Sequence, residues 1–555
     1  MEYPIVFGID LGSTNTSVAY RFLNPNEKTV APTFVCLDPD ADDIQRNVMP
    51  SAVLYRTPDG EAIVGRKARA LAIDKGMLFI NFKEKLLEEA TPEMRTERGI
   101  KKSAVDALTD LLKHALAQAA GTTELLSYFK PGLQANLVPN RPFHLTLGVP
   151  TETSETYRAH LKTALKSSGW FSSFEEMDGR VSFVAEPVAV VLNVPAKERR
   201  TFTVYDHGGL TLDIAQVEVD ETKSPKYTVK EKKRIVLNAG AAMHNVGGSF
   251  CDRLLLRFVV RREEGLASLQ ETIEKAYGPF NPPLDLPLLS ALVEMEREPE
   301  GESYERKLYD RLCSDVELVR IKLSDKATAE LRWNARSLSE VKSGITITED
   351  ELTDEVLSGI SQSIKSQLPK DADETSMHIL AGGVSITPFL TEEYSNLYPR
   401  RTLRFSDVSP LTAIAAGLAS YYQGGIGSEP PVGDKTDSDY GIYNDQEGKW
   451  EIVLARSTPF KNTKLPSEGL PPEGAGVSKG YRAFPATDEI VIRVGECVKG
   501  EWRDLGRRDV RLPNASTRFL IYFQADQSGI LEIRLADKSN RQLIRVENPK
   551  FRTSQ

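Results

Sequence analysis

Little in this sequence suits a disulfide-stapled, membrane-embedded or nucleic-acid-coating chain. Its 555 residues hold only four cysteines, Cys36, Cys251, Cys313 and Cys497, far apart and with no C-x-x-C pair. That spacing gives neither a metal knuckle nor a disulfide framework, and it suits a reducing cytoplasm. No apolar run approaches the roughly 18 residues that a membrane-crossing helix needs, so no membrane association is expected. Residues 1–20 have no basic start and meet the charged Asp10 too early for a secretory leader. Positive charge is not in excess: the formal net charge is −9. Without clustered Lys and Arg, nucleic acid is not expected as the main partner. No short-period repeat is visible. What is present is 40% apolar and 27% charged residues, the balance of a soluble globular protein long enough for several domains.

Residues 1–424 alternate strand-like and helix-like runs, which predicts α/β layering. "FHLTLGVP" (143–150) reads as a strand, and "ETYRAHLKTALKSSGW" (155–170) has helical spacing with Gly169 as a stop. The Gly-, Pro-, Ser- and Asp-rich stretch that begins at Gly424 has little to bury, so residues 425–437 read as a linker. Beyond it, "KWEIVLA", "EIVIRVGECV", "TRFLIYFQA" and "GILEIRLAD" alternate as strands, which predicts a β domain over 438–555 with no long helix.

One device occurs twice. "VFGIDLGSTNTSVAY" is a strand, Asp10, a small turn and a strand; "TVYDHGGLTLDIAQV" repeats it with Asp206, Gly208, Gly209, Thr211 and Asp213. Each predicts a β-hairpin whose turn lets backbone N–H groups approach an anion. Ser13, Thr14 and Thr211 add hydroxyl donors. A carboxylate beside phosphate repels it unless a cation intervenes, so Asp10 and Asp206 suit a hydrated Mg²⁺ and a polyphosphate. A third turn, "HILAGGVSITPFL" (378–390), reads as a strand, Gly382-Gly383 and a helix aimed at phosphate. Singly, each is also what an ordinary polar turn looks like.

Together these turns resemble the actin, sugar-kinase and 70-kDa heat-shock ATPase superfamily. Further stretches are similar to its DnaK-like chaperone branch: "VAEPVAVVL", "VGGSFCDRLL", "VELVRIKLS", "SPLTAIAAGLASYY" and, past the linker, "DSDYGIY", "RSTPF" and "FQADQSGILEIRLADK". The resemblance implies a two-lobed actin-like ATPase domain of ribonuclease H-like repeats over 1–424, then a β-sandwich that binds peptide. It implies ATP or ADP with Mg²⁺, slow hydrolysis, an unfolded or specific protein client, a J-domain co-chaperone and a nucleotide-exchange factor.

Residue by residue, the resemblance gives Asp10 and Asp206 the waters around Mg²⁺, and Gly12, Ser13, Thr14 and Asn15 the β- and γ-phosphates. Gly208 and Gly209 would form the second phosphate turn, with Thr211 on the γ-phosphate. Lys83 would reach the attacking water, and Glu186 would position water or merely start a helix. Gly247, Gly248, Glu317, Arg320, Ser324, Gly382, Gly383 and Ser385 would form the ADP pocket. Pro150, Arg158 and Asp434 would couple nucleotide state to the second domain; without the resemblance, Arg158 reads as a surface arginine.

The chain departs from the family's pattern at several points. Leu210 replaces the third glycine of the second loop, Ile386 replaces the arginine that stacks on adenine, and Arg320 replaces a lysine. His207 stands where an apolar residue is usual and reads as a tolerated turn residue. "PPVGD" (430–434) keeps only Val432 and Asp434 of an apolar docking linker, and no helical lid is expected after the β domain. Two-state coupling needs differential contacts, which this linker scarcely offers. Leu210, Ile386 and the linker keep open a nucleotide-dependent scaffold with little turnover. A small-molecule kinase or a filament-forming protein are further readings that the β domain argues against.

Overall fold

The computed structural model describes residues 5–271, 304–421 and 439–545, apart from loops inside those spans, of which 456–476 is the longest. The described part is mixed α/β with several sheets, and two six-stranded sheets dominate it.

In the first sheet, Ile5–Leu11 pairs antiparallel with Asn15–Phe22 and parallel with Phe143–Val149, which pairs parallel with Val181–Ala185. Phe143–Val149 is buried at every position, as expected of a strand covered on both faces. Alternation along the neighbouring strand separates two packings. Ile5, Phe7, Ile9 and Leu11 join the core that contains the helix Ala104–Gly121, whereas Val6 joins the core that contains Ile414 and Leu418. The long helix starts at a capping box, with Ser103 and Asp106 satisfying each other's backbone N–H.

The second sheet repeats the same order of directions. Arg200–His207 pairs antiparallel with Leu212–Asp220 and parallel with Met377–Ala381, which pairs parallel with Thr402–Leu403. Lys226–Ala239 and Ala242–Asn245 extend it beyond the hairpin. Each hairpin read from the sequence is therefore a real hairpin, and each begins a sheet of the same topology. The short helix Ala413–Ser420 is buried at all eight positions and packs on Ile5–Leu11 and on the helix Glu186–Val191. Small residues make that approach possible: Ala19 of the first sheet meets Ala415 and Ala419.

The apolar run 181–192 splits into the strand Val181–Ala185 and the helix Glu186–Val191, with Pro187 in its first turn, where proline's missing N–H costs nothing. The Gly382-Gly383 stretch differs from the expected strand-turn-helix. A single 3₁₀ turn, Gly383–Ile386, comes first, and the α-helix starts only at Pro388.

Past residue 438 the described elements are strands. They form two four-stranded antiparallel sheets, one of Asp439–Asn444, Lys449–Leu454, Glu489–Val498 and Glu501–Arg511, the other of Val477–Tyr481, Phe519–Ala525, Leu531–Asp537 and Leu543–Arg545. Two indoles stack across the first sheet: Trp450 lies over Gly495 and Trp502 over Gly441, with ring centroids 5.1 Å apart.

Candidate functional site

The two hairpin turns meet. A β-carbon on Gly209 would overlap the side chain of Thr14, so the second turn can lie against the first only because that position is glycine. Both turns line one cleft, together with Asp10, Asp206, Lys83, Glu186, Gly382 and Gly383.

Each turn is braced from behind. Ser51 donates its hydroxyl to the Gly12 carbonyl and its N–H to the Thr14 carbonyl, both at 2.8 Å. In the second turn, the Gly208 N–H donates to the Thr211 carbonyl at 2.9 Å. The Gly208 and Gly209 carbonyls accept from the N–H groups of Gly248 and Ser249 at 3.0 and 2.7 Å. Those N–H groups open the helix Gly248–Arg262, so Gly247 and Gly248 serve the turn and do not line the cleft, whereas Ser249 does. Gly382 has φ 86° and its α-carbon faces the His207 carbonyl, a left-handed conformation and a close approach that both favour glycine.

The deepest part of the cleft is acidic. Burial pushes the Asp10 carboxyl up to about 7, with the Glu186 charge adding to it and the Lys83 charge opposing. Asp206 is pushed well above the ordinary carboxylate value by burial, then by Glu186, Asp10 and Asp213, again with Lys83 opposing. Lys83 is the counterweight. Burial disfavours its charge, but Glu186, Tyr157 and Asp10 outweigh burial and hold the ammonium above its usual range. Its Nζ donates to Glu186 Oε1 at 2.6 Å. Glu186 opens its helix without capping it; its carboxylate is spent on Lys83.

At the other end the cleft turns apolar, with Leu318, Ile321, Val384, Ile386 and Leu411 in its wall. Charged residues there are tied to one another. Glu317 pairs with Arg69, and the Arg320 Nε donates to Asp252 Oδ1 at 2.6 Å. Two expected pocket residues turn away. Ser324 donates its hydroxyl to the Arg320 carbonyl at 3.4 Å, and Ser385 donates to the Ala381 carbonyl at 2.7 Å; neither lines the cleft. Backbone acceptors one turn back claim both hydroxyls.

His207 is not a turn residue. It closes the strand Arg200–His207, pairs with Leu212 and is 0% exposed. Burial, then the Arg320 charge, pushes its imidazole down to about 3, so it is neutral. Arg158 is not a surface arginine either: it is 5% exposed, within the helix Glu155–Ser167. Pro150 directly follows the strand Phe143–Val149. Asp434 lies outside the described residues.

Sequence reasoning missed Arg69, Asp252, Ser51 and the ion pair between Arg234 and Asp213. Arg69 and Glu317 are 248 positions apart, and no local pattern links them. Arg234 carries only a faint signal: it belongs to the basic run "KEKKR" (230–234) that follows the acidic second hairpin.

Small glycine turns facing each other across sunken carboxylates and a lysine define a class of anion-binding cleft suited to a polyphosphate with a cation. The comparisons with known proteins point the same way. The chain matches no family model. It is 24% identical over 563 residues to the chaperone protein DnaK of Buchnera aphidicola subsp. Schizaphis graminum, covering 96% of this chain and 76% of that protein. That likeness supports a distant relationship to the 70-kDa heat-shock chaperone family. No described helix is long and apolar enough to cross a membrane.

Proposed function

We propose that the chain is a divergent ATPase of the 70-kDa heat-shock type, which binds ATP with Mg²⁺, hydrolyses it slowly and thereby controls its hold on a protein client. In this reading residues 1–424 are a two-lobed actin-like ATPase domain, 425–437 link it to the rest, and 438–555 are a β-sandwich. The observation that carries the reading is the contact of Gly209 with Thr14 over Asp10 and Asp206.

The residues fit a divalent cation. Asp10, Asp206 and Glu186 crowd around one lysine, and burial penalises both aspartates as anions. Asp10 and Asp206 would hold such a cation through water, which would relieve that penalty and offset polyphosphate charge. Gly12, Ser13, Thr14, Asn15, Gly208 and Gly209 cradle the phosphates. Lys83, held by Glu186, supplies a fixed positive charge where negative charge builds up. Glu317, Arg320, Gly382 and Gly383 border the nucleoside, and the base lies against Ile321 and Ile386. The sheets past residue 438 hold an extended client segment by main-chain hydrogen bonds and side-chain pockets. A J-domain partner, a nucleotide-exchange factor and a cytoplasmic location go with this reading.

A second reading, a nucleotide-dependent scaffold with little or no turnover, is favoured by Leu210 and Ile386, which both line the cleft. Phosphate release by the wild type, Lys83→Ala and Thr211→Ala, with Mg²⁺ and with EDTA, separates the two. Slow Mg²⁺-dependent turnover that falls sharply in both variants supports the ATPase. Tight nucleotide binding without turnover supports the scaffold.

A further inference from the structure

Asp206, Asp213 and Arg234 form one row across three adjacent strands. Asp206 is directly opposite Asp213, and Asp213 is directly opposite Arg234. Two carboxylates opposite each other on one face repel. Arg234 settles which of them is neutralised by protein: its Nε donates to Asp213 Oδ1 at 2.9 Å and its Nη2 to Oδ2 at 3.1 Å. Such a fork fixes a carboxylate's plane as well as its charge. The Thr211 hydroxyl donates to the same Oδ2 at 3.0 Å.

That arrangement decides what Thr211 can do. Burial pushes the Asp213 carboxyl up, but the Arg234 hydrogen bonds, the Lys232 and Arg234 charges and the Thr211 hydroxyl outweigh burial and hold it below its ordinary value. An ionised carboxylate only accepts, so the single Thr211 proton is committed to it. The threonine oxygen then offers lone pairs alone to the cleft that it lines. A phosphate oxygen carries no proton to give to them; a water molecule does.

We propose that Arg234 and Asp213 are positioning residues that turn Thr211 into an acceptor for the attacking water. This inference rests on the ATPase reading above. In the step it serves, the water oxygen bonds to the γ-phosphorus while the bond to the β–γ bridging oxygen breaks and ADP leaves with that electron pair. One water proton stays on the phosphate product and the other passes to solvent. Thr211 orients the water and takes no proton. The charged groups around Asp213 are Asp206 on one neighbouring strand and Lys232 and Arg234 on the other, with Glu84 and Glu186 acting on Arg234 through space.

The test compares the full-length wild type with Arg234→Ala, Arg234→Lys, Thr211→Val and the Arg234→Ala/Thr211→Val double variant. Turnover and ADP affinity are both measured with Mg²⁺. Arg234→Ala is expected to lower kcat about tenfold with ADP affinity within about twofold of wild type. Arg234→Lys keeps the charge without the fork and falls between. In the double variant the Arg234 effect vanishes, since the threonine through which it acts is gone. An unchanged kcat in Arg234→Ala overturns the inference, as does an equal loss of kcat and ADP affinity, which marks a purely structural role. Additive losses in the double variant also overturn it. A wild type that binds nucleotide but never hydrolyses it overturns the water-orienting role and leaves nucleotide binding standing. A wild type that binds no nucleotide overturns the ATPase reading itself.

Discussion

Lys83 donates to Glu186 across 103 positions of sequence, at 2.6 Å. The pair joins the helix Phe82–Glu88 to the helix Glu186–Val191 at the acidic floor of the cleft. Removing the lysine leaves Asp10, Asp206 and Glu186 to repel one another and the phosphates. Lys83→Ala is expected to lower ATP turnover at least about 10²-fold, the size of effect seen when one fixed electrostatic donor is removed. Single-turnover hydrolysis checks it, and an activity within about twofold of wild type would exclude Lys83 from the site.

Arg69 and Glu317 form an ion pair between the helices Arg66–Leu71 and Tyr304–Leu323. Both residues line the cleft, so the pair links its two rims. Loss of a desolvated charge pair shows mainly in the off-rate. Arg69→Ala is expected to speed ADP release about tenfold, equivalent to about 1.4 kcal/mol. Stopped-flow release of a fluorescent ADP measures it; an unchanged rate would show that the pair does not gate the cleft.

Gly209→Ala puts a methyl group into Thr14. The two turns must part, at a cost of about 1–3 kcal/mol typical of overpacking. Nucleotide affinity falls with the cradle's geometry, while the far sheets, past residue 438, are untouched. Calorimetric titration with ADP checks the expectation. Full affinity in this variant would mean that the contact between the turns is not part of the binding site.

The hairpins were legible because each confines its signal to about fifteen consecutive residues: apolar alternation, Asp, small turn, alternation. For the same reason Asp10, Gly12, Thr14, Asp206, Gly209 and Gly383 were all found on the cleft wall. Ser324 and Ser385 were not, because side-chain direction depends on which backbone carbonyl is nearest. His207 was misread because one residue of strand extension moves a position from turn to core. The row of Asp206, Asp213 and Arg234 depends on strand register, which no single segment carries. Arg69 and Glu317 meet only once both sheets are built.

Stability should also depend on pH through His144, on the central strand Phe143–Val149. Burial, then the Arg180 charge, pushes its imidazole from 6.5 down to about 3. The folded state therefore binds fewer protons than the unfolded chain between those values. The contribution is fully present above pH about 6.5 and is lost as pH falls towards 3, with a slope of about 1.4 kcal/mol per pH unit. Urea unfolding at several pH values reads the slope. His144 Nε2 lies 3.0 Å from the Ser182 hydroxyl; His144→Gln, which removes the titrating ring but keeps a hydrogen-bonding side chain, is expected to reduce the slope by about that amount, and an identical slope would assign acid sensitivity to other groups.

On the proposed reading, the facing glycine turns that line one cleft with Asp10 and Asp206 bind a nucleotide polyphosphate with its cation. Isothermal titration of the wild type with ATP, first with Mg²⁺ and then with EDTA, tests it most directly. A dissociation constant of about 10 µM or tighter is expected with Mg²⁺, and binding at least about tenfold weaker in EDTA, a difference of about 1.4 kcal/mol or more. No heat of binding at about 1 mM ATP in either buffer, where even an interaction of about −4 kcal/mol would register, would contradict it.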